Sequence, residues 1–378
     1  MHVTNVKYAG VRVGHDVVNW FEKPLEKMVS QYFNTGDVCV YESTLRLAGA
    51  RSGAYDLNID QPVDAKVVAM LKEAKSTILL RGSNYLHENM EWGPFADWLE
   101  ALDLPVVACG VGAQAETERP IDLSPQGLRV WKIIGDHCHS IGVRGVFSAE
   151  TLQRNGVKNV EIVGCPTLFR DRNRGLKLRH VAGGPKRVTF SVRREVDRNY
   201  ALDPVQFVET QKQVIARLDL VSDLHLSCHG EPEEKAFFYR APRLKDWALA
   251  KLTAEGWFDH VSGATLKRLY ENKLYYYARP SDYDFYAPQF DAAIGYRVHA
   301  VLPALAVGVP SAMFDYDARS RELAQTFDLP IYAPEQFMKM SLAEAFAPER
   351  FERFAARFPE RYDRMKTFFE KNGMATRM

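Results

Sequence analysis

The chain is poor in cysteine. Its five, Cys39, Cys109, Cys138, Cys165 and Cys228, are scattered through 378 residues without C-x-x-C spacing. An odd, dispersed set excludes a disulfide framework and reads as reduced thiols used as small apolar core residues. Long hydrophobic runs are missing, so no segment has the length to span a bilayer, and the opening MHVTNVKYAGVRVGHD lacks the apolar stretch of an export signal. The expectation is a cytoplasmic protein with no transmembrane segment. Excess charge of either sign is absent as well. With 49 Lys and Arg against 48 Asp and Glu the formal net charge is +1, which offers no bulk field for nucleic acid. Any anion site must therefore be local. G-x-x-x-x-G-K-[ST], H-E-x-x-H and G-x-S-x-G do not occur, nor do solenoid-length repeats or low-complexity tracts.

What is present is the composition of a folded protein, 46% hydrophobic and 26% charged, in a chain too long for one ordinary core. From 77 to 165 short apolar runs alternate with helical periods: TILLRGSNYL as strand and loop, WGPFADWLEAL as helix, PVVACGVGAQ as strand and glycine loop, LRVWKIIGDHC as helix, then SIGVRG, AETLQRNG and VEIVGCPTLF. Such alternation predicts parallel βα units with helices on both faces of a sheet. Ligands of such sheets bind outside the carboxyl ends of strands, so the loops 81–85, 110–114 and Arg144 share the functional edge. Upstream, residues 17–32 predict an amphipathic helix interrupted near Pro24. The loop FNTGD at 33–37 precedes a helix over 38–47, with Asn34, Thr35 and Asp37 as ordinary capping residues.

Residues 170–187 carry little apolar periodicity and end in Gly-Gly-Pro, which marks a domain boundary. Between 170 and 198 ten Lys and Arg face three acids, about +7, which suits either a solvated linker or a cleft that attracts an anion. A second α/β series follows, then a helical tail over 341–371. The expected domains are 1–182, 183–332 and 333–378, the last crossing back to the first. The expected fold class is α/β, two doubly wound Rossmann-like domains facing across a cleft in the GT-B manner, with C-terminal helices.

The densest functional signal is AIGYRVHAVLPALAVGVPSAMF at 293–314, a buried strand end, a turn, a slim helix and a second strand. Arg297 and His299 stand at the opening of that helix, where unpaired N–H groups and the positive end of the dipole favour an anion. Ala300, Ala304 and Ala306 keep it thin, Gly308 stands at its C-terminal cap and Pro310 opens the next strand. His225, Cys228 and His229 suggest zinc, but strand spacing turns Cys228 away from the two histidines and no fourth ligand is evident, so no metal is expected. What remains are cations and carboxylates on strand-to-helix loops: Asp37, Arg144, Arg193, Arg194, His229, Glu231, Arg297, His299 and Arg319. Converging arginines suit a small, multiply charged phosphate or carboxylate, and one histidine with one carboxylate suffices for proton transfer.

FNTGD at 33–37, ILLRGSN at 78–84, VVACGVGAQ at 106–114, IGVRGVFSAETLQRNGV at 141–157, VEIVGCPTLF at 160–169 and IGYRVHAVLPALAVGVPSAMFDYDARSRELAQTF at 294–327 resemble, in that order, the polysaccharide pyruvyl transferase family. The R-x-H-A-x-x-x-A-x-x-x-G-x-P run is the most specific. The resemblance implies a GT-B-like fold and transfer of pyruvate from phosphoenolpyruvate to a saccharide as a ketal, without a redox cofactor or obligatory metal. Carried over residue by residue, Arg297 and His299 fall on the donor-site Arg and His, Arg319 where a basic residue is usual, and Asp37 on the Asp of the N-terminal loop. The expected roles are donor contacts from Arg297, Arg193, Arg319 and Arg144, a proton donor in His299, and a base in Asp37 or Glu231. Acceptor contacts fall to Asn34, Asn84 and Gln114. The acceptor would be a saccharide, free or lipid-linked, used in the cytoplasm or at the inner face of the membrane. The chain departs from the pattern at Arg81-Gly82-Ser83, where consecutive glycines are common, and at Gly145, where Asp is usual. Two other readings stay open, a nucleotide-sugar glycosyltransferase on the same architecture and a non-catalytic saccharide-binding protein.

Overall fold

A computed structural model describes residues 8–12, 24–31, 34–49, 55–198 and 201–378. Two six-stranded sheets carry the fold among these residues. The first contains β1 (Tyr8–Arg12), β2 (Tyr55–Asn58), β3 (Thr77–Arg81), β4 (Val106–Val111), β5 (Ile141–Val143) and β6 (Val160–Ile162), in the order β2-β1-β3-β4-β5-β6. The second contains β7 (Arg187–Ser191), β8 (Asp223–Cys228), β9 (Leu274–Tyr276), β10 (Ala292–Gly295), β11 (Ser311–Phe314) and β12 (Ile331–Tyr332), in the order β12-β11-β10-β7-β8-β9. Every pairing is parallel. Helices cover both faces, which is why VVACGV in β4 and SAMF in β11 are buried at every position, with Ser311 as the one polar side chain, donating to Val309 O at 2.8 Å. The doubly wound, GT-B-like class expected from the alternation is the one observed.

Strand order fixes where a ligand can sit. In each sheet the chain reverses direction at one point, between β1 and β3 in the first and between β7 and β10 in the second. Crevices open at such points beyond the carboxyl ends of the strands. The end of β7 leads straight into Val192 and Arg193, and the end of β10 into Tyr296 and Arg297.

The helix Glu352–Lys371 returns to the first sheet. Met365 Sδ lies 3.7 Å from Cys109 Sγ in β4, and a side chain on Gly142 of β5 would strike the Phe368 ring at 2.8 Å. Beyond it, Asn372 accepts hydrogen bonds from the backbone of His139 and Ser140, at 3.0 and 3.2 Å.

Several local expectations change. The helix after the FNTGD loop begins at Thr35, with Asn34 as its N-cap, and runs to Leu47, because the Asn34 side chain accepts from Gly36 N–H and frees the backbone to turn early. Of the helix expected over 17–32 the structure gives Leu25–Ser30, opened by Pro24; residues 17–23, 32 and 33 lie outside the described residues. The basic segment does not concentrate its charge on the cleft. Arg170 is buried against Asp284 and Glu42, Arg174 pairs with Asp363, Arg187 with Asp223, and Arg194 with Glu233, Glu234 and Glu255. Arg193 is a member of the segment that lines the crevice. Trp92, Trp98 and Tyr275 to Tyr277 are aromatics of the kind that stack on sugar rings, but they pack on protein instead: Trp92 lies edge-on to Tyr85 and Phe95, Trp98 donates to Gln61 O, and Tyr275 lies flat on Tyr286 at 3.8 Å.

Candidate functional site

The reversal point of the second sheet is built around Arg297. As N-cap of the helix Val298–Ala306 it has extended backbone, and its N–H donates to Ser191 Oγ at the end of β7, 3.2 Å away. Its side chain returns across the same gap, with Nε donating to Val192 O at 3.2 Å and Nη2 paired with Glu231. The other Glu231 oxygen accepts the His229 N–H at 3.2 Å. Glu231 is 2% exposed, so a carboxylate sealed from water holds a guanidinium at the mouth of the crevice. Arg193 and Arg319 meet from opposite sides on one phenol: both donate to Tyr316 Oη, Arg193 at 2.8 Å. Arg319 also lies 3.2 Å from Asp317, the N-cap of the helix Ala318–Phe327, whose capping box with Ser320 fixes that turn.

The other wall comes from the first domain. The helix Thr35–Leu47 points its N-terminus at two histidines of the second. Thr35 donates through N–H and Oγ1 to His229 O, at 2.8 and 3.1 Å. At Gly36 an added Cβ would lie 2.9 Å from His229 Nδ1 and 3.2 Å from His299 Nδ1. Only glycine lets the helix end approach both rings. His229 Nε2 is 3.1 Å from Tyr277 Oη, and His299 Nε2 is 3.8 Å from Cys165 Sγ. Asn34 Nδ2 reaches Asp37 at 3.1 Å, which leaves one carboxylate on the first turn of this helix.

Electrostatics ties these groups into one cluster. Burial, then Arg144, Arg319, His229 and Arg81, hold His299 well below the usual histidine range. Burial, then Arg297, Arg193 and Arg319, do the same to His229. Burial also lowers the proton affinity of Arg144, which is 1% exposed and whose Nε has no hydrogen-bond partner among the described residues. Both rings are therefore neutral at pH 7 in a field of arginines. A multiply charged anion would relieve that field.

From Arg144 a polar relay leads outward. Its Nη1 donates to Asn84 Oδ1, and Asn84 Nδ2 donates to Gln114 Oε1 at 2.7 Å. Asn84 and Gln114 line a cavity of about 340 Å³ on the first domain, and Arg193 and Arg297 line one of about 580 Å³ on the second. Asp197 borders both, so the two spaces adjoin.

The structure thus gathers Arg144, Arg193, Arg297, Arg319, His299, Glu231 and Asp37 at one crevice, with Asn34 on its helix cap and Asn84 and Gln114 on the adjoining wall. Arg194 borders the same cavity as Arg193 and Arg297, but its charge is committed to carboxylates. Burial works against its charge and Glu234 restores it, in a clamp with Glu233 and Glu255. Adjacent residues of an extended segment face opposite ways, a signal that could have separated Arg193 from Arg194. Tyr316 and Gly36 were not read as site residues, and Tyr277 only as a surface on which sugar could stack, since nothing local shows which phenol meets a distant guanidinium or which phenol and glycine meet a distant imidazole. Of the three residues that suggested zinc, His225 lies 3.6 Å from Asp223, Cys228 Sγ faces Tyr275 O and His229 Nε2 faces Tyr277 Oη, and no group of three possible metal ligands occurs among the described residues. All five cysteines are free thiols. No described helix is long and apolar enough to cross a membrane.

Comparison with known proteins adds three findings. A family model described as polysaccharide pyruvyl transferase matches residues 20–318. No curated protein matches the chain. Among solved structures, the S. aureus MnaA–UDP co-structure is similar with a TM-score of 0.47 at 10% identity, over 97% of each chain. Anabaena Alr3699/HepE in complex with UDP and glucose is similar with a TM-score of 0.48 at 10% identity, also over 97% of each chain.

Proposed function

The chain belongs to the polysaccharide pyruvyl transferase family, and from that premise we propose that it transfers pyruvate from phosphoenolpyruvate to two hydroxyls of a saccharide, forming a ketal. The observation that carries this reading is the convergence of Arg144, Arg193, Arg297 and Arg319 with two neutral, buried histidines at the reversal point of the second sheet. Phosphoenolpyruvate is a compact anion with phosphate and carboxylate on the same carbon, and fits several guanidinium forks rather than a point charge.

In the proposed cycle the arginines hold the two anionic groups, and their charge is offset once the donor is bound. His299 then gains a proton and delivers it to C3 of the donor, so that C2 becomes electrophilic. A saccharide hydroxyl adds to C2 and gives its proton to Asp37. The C–O bond to phosphate breaks, with the electron pair leaving on phosphate oxygen, stabilised by the arginines and the helix N-termini. A second hydroxyl adds to C2 and gives its proton to His299, neutral since it protonated C3, which closes the ketal; the proton on Asp37 leaves with phosphate. Glu231 fits a positioning role better than that of base, because both its oxygens are engaged, by Arg297 and by the His229 amide. The acceptor, free or lipid-linked, is assigned to the cavity beside Asn84 and Gln114, reached through Asn84 from Arg144. The chemistry asks for no redox cofactor or metal.

The test is stabilisation of the protein by phosphoenolpyruvate, with Arg297→Ala as control. A ligand bound only by the native state raises the melting temperature once its concentration exceeds Kd. A rise in the wild type that vanishes in the variant is expected. Stabilisation by nucleotide sugars and not by phosphoenolpyruvate would overturn the reading in favour of glycosyl transfer.

A further inference from the structure

The helix Ala318–Phe327 belongs by connectivity to the second sheet, since it joins β11 to β12, yet one face of it is seated on the first domain. Ala318 N–H donates to Ala115 O at 3.3 Å. One turn further on, Glu322, 2% exposed, sets one carboxylate oxygen 2.6 Å from the Ser148 backbone nitrogen and the other 2.9 Å from Ser148 Oγ. Ser148 Oγ also accepts the Ala113 N–H at 2.9 Å, so the carboxylate is tied to the loop beyond β4 as well.

Ser148 is the third residue of the helix Val146–Arg154. The amide at that position has no acceptor within its helix and is ordinarily satisfied by the side chain of the N-cap residue. The N-cap here is Gly145, which has none. Its place is taken by a carboxylate 174 residues away on the opposite domain, at the end of the helix where negative charge is favoured. Gly145 has an extended φ of −174°, which any residue adopts, so its backbone does not require glycine. Space does: a Cβ there would lie 2.4 Å from Glu322 Cγ and 2.5 Å from Thr326 Oγ1. Gly164 makes the same allowance for the Phe327 ring, 2.2 Å from where its Cβ would be. Two glycines of the first domain thus form the seat for one helix of the second.

This seat lies between two arginines of the crevice. Arg144 immediately precedes Gly145, and Arg319 stands one turn before Glu322. We propose that Glu322 is a positioning residue, which caps the helix Val146–Arg154 across the cleft and so docks Arg144 and Arg319 onto the same anion. The donor half of this proposal rests on the function proposed above; the capping half does not. Glu322 acts through the two arginines, by holding together the elements that carry them.

The experiment uses the full chain and three variants, Glu322→Ala, Glu322→Gln and Gly145→Ala. Two quantities are read: hydrogen exchange of the segment 146–152, and the phosphoenolpyruvate concentration that gives half-maximal stabilisation. Burial pushes the Glu322 carboxyl up to about 7, against the pull of its bonds to Ser148, so the cap is only partly ionised at neutral pH. Leaving the buried Ser148 amide without its partner costs about 1–3 kcal/mol, so exchange at Ser148 should speed up by about 5- to 100-fold in Glu322→Ala. Gly145→Ala should do the same with Glu322 still in the chain, by pushing its carboxylate off the Ser148 amide. Glu322→Gln keeps an acceptor for the Ser148 N–H and should stay within about threefold of the wild type. The donor concentration should rise by about 10- to 100-fold in Glu322→Ala and Gly145→Ala and change little in Glu322→Gln. Unchanged exchange in Glu322→Ala overturns the cap. Equal loss of donor affinity in Glu322→Ala and Glu322→Gln, in step with melting temperature, makes Glu322 a packing residue and overturns the proposal. If the wild type shows no response to phosphoenolpyruvate, the donor reading fails, and exchange in the three variants still decides the docking.

Discussion

Gly36→Ala is the smallest perturbation that reaches the centre of the crevice. Gly36 is the second residue of the helix Thr35–Leu47, and a methyl there would lie 2.9 Å from His229 Nδ1, 3.2 Å from His299 Nδ1 and 3.0 Å from Asn34 Oδ1. Unstrained contacts of this kind are about 3.5 Å, so each ring must retreat by about 0.5 Å. Neither ring can do so without loss, because His229 is bonded to Tyr277 behind it and His299 backs onto Cys165. Overpacking of this kind costs about 1–3 kcal/mol, and alanine in place of glycine within a helix recovers about 0.5–1 kcal/mol. The fold should therefore lose about 0–2.5 kcal/mol. Catalysis should lose more than that suggests, because a misplacement of about 1 Å costs on the order of 10²-fold. The expected result is a fall in kcat/KM for phosphoenolpyruvate of about 10- to 100-fold with a melting temperature close to that of the wild type. Steady-state release of phosphate, measured beside a melting curve, provides both numbers. A variant within threefold of wild-type kcat/KM would refute the placement of the two imidazoles against this helix end. So would a loss accounted for entirely by the fraction unfolded at the assay temperature.

Proton linkage provides a second test. His299 and His229 are held below the usual range first by burial and then by arginines, so the native state does not take up the protons that the unfolded chain binds below about pH 6.5. Stability of the unliganded protein should therefore fall as pH drops through that value, and melting curves between about pH 7.5 and 5.5 will show it. An anionic donor opposes the arginines and raises both imidazoles, so binding should take up protons and strengthen as pH falls from about 8 to 7. Calorimetry in two buffers of different ionisation enthalpy measures the uptake, and a value of zero contradicts the mechanism. Arg194→Met should behave differently from any change in the crevice. It leaves Glu233 and Glu234 buried without their guanidinium, at a cost of about 3–5 kcal/mol by denaturant titration, while the response to phosphoenolpyruvate is unchanged. Weakened donor binding at preserved stability would instead place Arg194 in the site.

Much of the scaffold was legible because it is local. Buried parallel strands are apolar at consecutive positions, and the helices between them repeat at three and four, so the series from β3 to β6 and the turn at Arg297 stand out in the sequence. β1 and β2 did not, being short strands set apart by the helices Leu25–Ser30 and Thr35–Leu47, and their pairing becomes visible only when β3 lies beside β1. The cations were found as residue types on strand ends, but their tasks were not. Arg193 and Arg194 are neighbours in sequence with opposite surroundings, one on a phenol at the crevice and the other among three carboxylates. Glu322 carries no local mark, since its partner Ser148 lies 174 residues away. Gly145, by contrast, was visible as a departure from the family pattern, and the structure explains it as room for that carboxylate. The tyrosines at 275–277 were open to reading as sugar platforms because an exposed and a buried aromatic look alike in a sequence; packing alone separates them.

The return of the helix Glu352–Lys371 to the first sheet has a consequence for how the molecule comes into being on the ribosome. Cys109 in β4 and Met365 on that helix are 256 residues apart, and the contacts of Asn372 with His139 and Ser140 span a similar distance. Further along, Arg377 N–H and Thr376 Oγ1 both donate to Leu47 O, at the far end of the helix whose first turn faces the two histidines. The first sheet is thus complete in its strands long before the residues that cover it are made. A nascent chain that has finished both sheets still shows apolar surface around β4 and β5, with the crevice-facing helix untethered at one end. Translation must run nearly to residue 377 before the first domain can close, so stalled or truncated chains should be recognised as unfolded at their oldest part.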